Sequence, residues 1–183
     1  MSNQSDSASV RAVLQEFLDG YRLRDLSKLD DFMTLFDQGG GVELIGIGAS
    51  ERGAVEWFEG SEAIREIIQS DWTYWGAVEL DVAGAKITNL DRVAWLTTTG
   101  TLEQMETFDQ ALPLYLQQMG EILEDEKRDS DERLIEASHF GIRRLRERLK
   151  GSGYCWPFVF SAVLVKRDGD WKFHTIHWSM PVD

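Results

Sequence analysis

A second cysteine is missing from this 183-residue chain, and with it any internal disulfide and any paired-cysteine metal or redox motif. The single thiol, in Tyr154-Cys155-Trp156-Pro157, is expected to be a small buried hydrophobe. Apolar runs of membrane-spanning length are missing as well, and the polar stretch Met1 to Ser9 lacks the apolar centre of a signal peptide. These absences point to a cytoplasmic protein. Basic residues are scarce: 19 Lys and Arg face 32 Asp and Glu, for a formal net charge of −13. Such a chain lacks the clustered cations that displace counterions from a phosphate backbone, and an anionic lipid surface repels it. Nucleic acid and membrane partners are therefore not expected. No repeat, low-complexity tract, nucleotide-binding glycine motif, flavin motif or metal signature is present, so no cofactor and no metal is expected.

What is present is globular, with 43% apolar and 28% charged residues and a surplus of seven Trp. Val10, Val13, Leu14, Phe17, Leu18 and Tyr21 follow helical spacing, with Ser7 or Ser9 as the expected cap. A shorter helix follows from Asp25, with Leu26, Leu29, Phe32, Met33 and Phe36 on one stripe, and Gly39-Gly40-Gly41 stops it. Val42 to Gly48 is predicted as a strand, and Ser61 as the cap of a third helix that buries Ala63, Ile64, Ile67 and Ile68. Strands are expected from Ala77 to Thr88 and from Val93 to Gln104, joined by a turn at Asn89 to Arg92. Between about Met105 and Lys150 the period becomes helical again, with stripes Leu112-Leu116-Met119-Ile122-Leu123 and Leu134-Ala137-Ile142-Leu145-Leu149 and a turn at Asp129 to Asp131. The β pattern resumes at Tyr154, turns at Arg167-Asp168-Gly169-Asp170 and runs on to Met180. Helices ahead of a run of antiparallel strands indicate an α+β fold, with one domain over residues 1–183 and a helical hairpin inserted at about 105–150.

Three stretches resemble the SnoaL-like branch of the nuclear transport factor 2-like superfamily. They are the helix pair leading into Glu43-Leu44-Ile45-Gly46, the run Trp57-Phe58-Glu59-Gly60-Ser61-Glu62-Ala63-Ile64, and the closing hairpin Ser161 to Phe173 followed by His177-Trp178-Ser179-Met180-Pro181. The resemblance implies the cystatin-like cone: a curved antiparallel sheet packed against N-terminal helices around a pocket, with the convex face often meeting a second subunit. Two departures stand out. The insertion is longer than the usual connection, and Thr175 stands where many members carry another histidine.

Strict alternation along the last strand would place Trp171, Phe173, Thr175, His177 and Ser179 on one face. Aromatic rings with a few polar groups make a pocket wall, so Trp171, Phe173, Thr175 and Ser179 are candidate ligand contacts. His177 is the candidate catalytic acid–base group. Trp57 and Trp72, flanking the third helix with Trp75, are candidate walls. His174 and His177 point to opposite sides of a strand and cannot share a metal ion. On the strand before the insertion, Val93, Trp95, Thr97, Thr99 and Thr101 share one face, a surface suited to subunit contact. Arg143, Arg144, Arg146 and Arg148 form a charged helix face. Two functions fit: binding of a small, largely apolar molecule in the cone, with cofactor-free isomerase, dehydratase or hydrolase chemistry, or a homodimeric interaction module that uses the insertion to contact a partner protein.

Overall fold

The computed structural model describes residues 2–49, 51–52, 56–105 and 108–180. The chain divides into two compact units, Met1–Leu102 with Trp156–Asp183, and Glu103–Cys155.

In the first unit, helix α1 (Ser2–Leu23) begins well before the expected serine caps, because its register is set by burial of Val10, Leu14, Phe17, Leu18 and Tyr21. It stops at Arg24, whose φ of 51° is left-handed and whose guanidinium donates to the carbonyls of Tyr21, Trp75 and Gly76. A single 3-10 turn (Leu26–Lys28), capped by the Asp25 carboxylate, leads into the short helix α2 (Leu29–Met33). Strands β1 (Glu43–Ile45) and β2 (Trp57–Glu59) precede α3 (Gly60–Tyr74). Helix α3 starts two residues earlier than the sequence suggested. Ser61 lies inside it, and Glu59 occupies the cap position without a side-chain bond.

The strand expected from Ala77 to Thr88 is broken in two. Asp81 accepts from the amide of Gly84, and this local turn competes with the ladder. The result is β3 (Ala77–Leu80) and β4 (Lys86–Leu90), both paired with β5 (Val93–Glu103). Strand β6 (Cys155–Arg167) and strand β7 (Asp170–Ser179) form the expected closing hairpin, with positive φ at Asp168 and Gly169 as its two-residue turn requires. Cys155, at the first position of β6, is exposed and not buried as expected. The sheet order is β2-β1-β7-β6-β5-β3, with β4 also on β5, and β1 runs parallel to β7 while the other pairings that are resolved run antiparallel.

One sheet face is inner and apolar, packed on α1 to α3. Leu44, Ala94, Leu96, Phe160, Ala162, Leu164, Ile176 and Trp178 are buried there. Phe17 of α1 centres the core, with ring centroids 4.9 Å from Tyr21, 5.2 Å from Phe173, 5.5 Å from Phe160 and 6.1 Å from Trp178. Tilted and edge-on rings at these spacings add dispersion and quadrupole energy to simple burial. Burial also pushes the Tyr21 phenol well above its usual range, while its hydroxyl donates to Asp71 at 3.0 Å.

The second unit contains helices α4 (Phe108–Glu124) and α5 (Ser130–Leu149), the hairpin expected from the sequence. Asp129 caps α5 by accepting from the amides of Asp131 and Glu132. Tyr115 stacks on Phe140 at 5.8 Å, and Gly141 leaves room for the Tyr115 hydroxyl. The side chains of the 143–148 arginine run lie outside the described residues. Among the described residues no helix is long and apolar enough to cross a membrane.

Candidate functional site

The last strand carries the residues that the sequence singled out, and its regularity is interrupted once. Leu164 pairs with Phe173 but Val163 pairs with Thr175, so His174 is an extra residue with no opposite number. A β-bulge of this kind reverses the in–out parity of everything beyond it. Trp171 and Phe173 remain inward, at 3% and 0% exposure, and are joined there by Ile176 and Trp178. Thr175, His177 and Ser179 are turned to the outer face, where His177 and Ser179 are exposed. The five residues expected on one face are therefore two inward and three outward. The imidazole of His177 does not face an enclosed space in this chain.

The bulge falls where β7 changes neighbours. Phe173 bonds to the segment before β1: its amide donates to Leu35, and Asp37 donates to its carbonyl, both at 2.8 Å. From Thr175 onward the neighbour is β1. Between the two contacts lies the Gly39-Gly40-Gly41 run, with positive φ at Gly40 and Gly41. At this junction the carboxylate of Asp37, only 1% exposed, accepts from Arg167 at 3.0 and 2.8 Å, from the Gly39 amide at 3.0 Å, and from His174 Nδ1 at 3.2 Å. An ionised carboxylate has no proton to give, so Nδ1 carries the hydrogen in this contact. The Arg167 guanidinium, with the Gly39 amide and His174, overcomes the effect of burial and lowers the Asp37 pKa to about 2.

Sequence reasoning missed this cluster. The only local signal is Asp37 two residues before Gly39, the pattern of a side chain that caps its own turn. Its tie to Arg167 and His174 spans about 130 residues and is visible only in the folded chain.

The remaining candidates divide in the same way. Trp57 lies on the outer side, paired with Ile45, which in turn pairs with His177, and His177 pairs with Ser161. Arg52 lies over the Trp57 ring at 5.3 Å and bridges Glu43 and Glu59 at 2.8 and 3.0 Å. Trp72 is buried at 5% exposure against Phe32 and Tyr21, and it lines a groove of about 190 Å³ between α1, α2 and α3 to which no strand contributes. The structure thus gathers Trp57, Thr175, His177 and Ser179 on the outer face, and Trp171 and Phe173 with the core.

The outer face continues across the sheet. The Lys166 amide bonds to Arg92 and the Gln104 amide to Tyr154, both at 2.9 Å, which sets Trp95 opposite Val163 and Thr97 opposite Ser161. Val93, Trp95, Thr97, Thr99 and Thr101 are exposed on this side, as alternation predicts, while Ala94, Leu96, Thr98 and Leu102 are buried. The outward positions of β5 from Val93 to Thr101, of β6 from Pro157 to Val165 and of β7 from Thr175 to Ser179 hold no carboxylate, although the chain has 32. Leu90 at 69%, Val93 at 39%, Trp95 at 44% and Val159 at 48% exposure make this surface partly apolar.

Helices packed on the inner face of a curved, unclosed, mainly antiparallel sheet define an α+β protein of the cystatin-like class. The SnoaL-like domain profile matches residues 10–118, and the chain belongs to that family. Solved structures agree on the fold. A candidate dehydratase of the NTF2-like family from Streptomyces avermitilis aligns with TM-score 0.60 at 10% identity, over 98% of this chain and 99% of that one. An uncharacterised protein with a cystatin-like fold from Caulobacter vibrioides aligns with TM-score 0.58 at 11% identity, over 96% and 89%. A candidate scytalone dehydratase from Novosphingobium aromaticivorans aligns with TM-score 0.58 at 8% identity, over 98% and 86%. No protein with a curated description matches the chain.

Proposed function

We propose that this protein is a non-catalytic, homodimeric interaction module of the SnoaL-like fold that pairs through the outer face of its sheet. The observation that carries the reading is the carboxylate-free stretch made by the outward positions Val93 to Thr101 of β5, Pro157 to Val165 of β6 and Thr175 to Ser179 of β7, in a chain of net charge −13. Two copies of so acidic a protein repel one another over most of their surface, and this is where they approach at least electrostatic cost. Three strands about 4.8 Å apart, whose outward stretches run roughly 17 to 30 Å, present on the order of 400 Å², about half of the ~800 Å² per partner of a standard interface. Exposed Trp95 at its middle is the natural anchor. The chain is taken as one SnoaL-like domain with a helical insertion. That hairpin, on which Leu116, Leu123, Leu134, Ile135 and Ile142 are exposed, is the element assigned to contact with a partner protein.

Sedimentation velocity tests the pairing. The wild type should sediment with twice the 20.9 kDa chain mass, and Trp95→Glu with that of one chain, its carboxylate having no partner in the contact. A wild type that stays monomeric at micromolar concentration, or a Trp95→Glu variant that dimerises as well as the parent, refutes it.

The second reading is binding of a small, largely apolar molecule inside the cone, with His177 as the acid–base group and Trp57, Trp72, Trp171, Phe173, Thr175 and Ser179 as contacts. In its favour stand the two structural relatives described as candidate dehydratases. It requires the rings of Phe17, Phe160, Phe173 and Trp178 to part for the ligand and His177 to act from the outer face. A compound that raises the melting temperature of the wild type but not of Phe160→Ala would favour it.

A further inference from the structure

We infer that the exposed face of the α4–α5 hairpin is covered by the same face of a second copy, the two hairpins stacking head to tail as a four-helix bundle. This rests on the reading of the hairpin as the partner-contact element, and it names the partner. The stripe that each helix turns to the other is already used. Tyr115 stacks on Phe140, and the Tyr115 hydroxyl and the end of Met119 lie against Gly141. A second apolar stripe remains on each helix. On α4 it is Pro113, Leu116, Gly120 and Leu123, and on α5 it is Leu134, Ser138 and Ile142. Leu116 is 59%, Leu123 43%, Leu134 62% and Ile142 53% exposed.

Both stripes lie on one side of the hairpin. At about 100° per residue, each follows the stripe used within the hairpin by roughly 100–120° in the sense of the chain. The helices run antiparallel, Arg133 at the start of α5 donating to the Leu123 carbonyl at the end of α4 at 2.9 Å. Seen from one end they turn in opposite senses, so similar rotations bring both stripes to a common face. A Cβ at Gly120 would meet nothing within 4 Å, which leaves room for a facing helix to approach closely. Two helices about 10 Å apart and about 25 Å long present roughly 500 Å², the area that the sheet patch lacks.

Charge selects the occupant. The loop end, residues 121–136, holds eight carboxylates and three cations, whereas the open end, residues 108–120 with 137–150, holds five cations and two carboxylates. Two of the loop-end cations are taken up locally. Arg128 pairs with Asp125 at 3.3 Å and with Glu136, and Arg133 donates to the carbonyls of Leu123 and Asp129. The ends lie about 25 Å apart, some three Debye lengths at physiological ionic strength, so each acts on a neighbour by itself. A surface negative at one end and positive at the other is complementary to its own reverse. A twofold axis across the helices, in the plane of contact, lays the loop end of one copy on the open end of the other and closes the pair. An axis along the helices sets loop end on loop end, eight carboxylates against eight.

The test is sedimentation equilibrium of the full chain at neutral pH, with far-ultraviolet circular dichroism to confirm folding. Leu116→Gln/Ile142→Gln withdraws four apolar side chains from the paired surface and should raise the dissociation constant about 100-fold or more. Glu121→Lys/Glu124→Lys makes each copy less negative, which by itself favours association. It should nevertheless weaken pairing about tenfold, because it sets cations against the open end of the other copy. If Leu116→Gln/Ile142→Gln pairs as tightly as the wild type, the inference is overturned, and Trp95→Glu alone then reports on the sheet. If the lysine variant pairs more tightly than the wild type, the head-to-tail stacking is overturned. A Trp95→Glu protein that stays dimeric while Leu116→Gln/Ile142→Gln is monomeric sinks the sheet reading and upholds the hairpin. A wild type that is monomeric at micromolar concentration overturns both. Should the glutamine variant fail to fold, the lysine variant decides the matter alone.

Discussion

Replacing Asp37 with Asn removes a charge from a carboxylate that is 1% exposed and bonded to Arg167, the Gly39 amide and His174. The shift of its pKa from 3.8 to about 2 measures how much better the folded chain tolerates the anion than the unfolded one, and it amounts to about 2 kcal/mol. Arg167 is half exposed, so solvent screening keeps the figure from growing larger. The folded-state pKa lies below the unfolded one. The stabilisation is therefore fully present above about pH 4 and is lost as pH falls through 2. Urea denaturation followed by tryptophan fluorescence is the appropriate assay, because all seven tryptophans belong to the first unit. At pH 7 the Asn variant should be less stable by about 2 kcal/mol, and it should lose correspondingly less than the wild type between pH 4 and pH 2. A variant within about 0.5 kcal/mol of the parent at pH 7, or an unchanged acid dependence, would refute the assignment of stability to this cluster.

Two other substitutions probe the packing. Gly20→Ala places a methyl group into the Phe32 ring and 3.3 Å from Trp72 Cζ2, so α1 must shift from α2 and α3, at a cost of about 1–3 kcal/mol read as a lower urea midpoint. Excising 105–152 so that Gln104 joins Gly153 through a short glycine turn should leave the first unit folded. The ends are already bridged by bonds of 2.7 and 2.9 Å, and a fluorescence midpoint that collapses would show that the two units are not independent.

The helical periods of α1, α3, α4 and α5 were legible because each element repeats its apolar residues at the spacing that one buried face demands. The outer row Val93 to Thr101 was legible for the same reason, as was the Asp168-Gly169 turn, where two left-handed residues in succession admit few side chains. The break between β3 and β4 was not, because Asp81 chose its own turn over the ladder, a competition between two hydrogen-bond partners of similar strength.

The sequence by itself determined the α+β class and the position of the helical hairpin, which follow from local periodicity and turn chemistry, and the family through the resemblance of three segments to its members. Which way His177 points was decided only by tertiary structure. Alternation counts residues along one strand, whereas the extra residue at His174 exists because β7 meets residues 35–37 on one side of a glycine loop and β1 on the other. A register fixed by contacts more than a hundred residues apart leaves no trace in the local pattern, and a slip of one residue turns the imidazole from the core to the outer face.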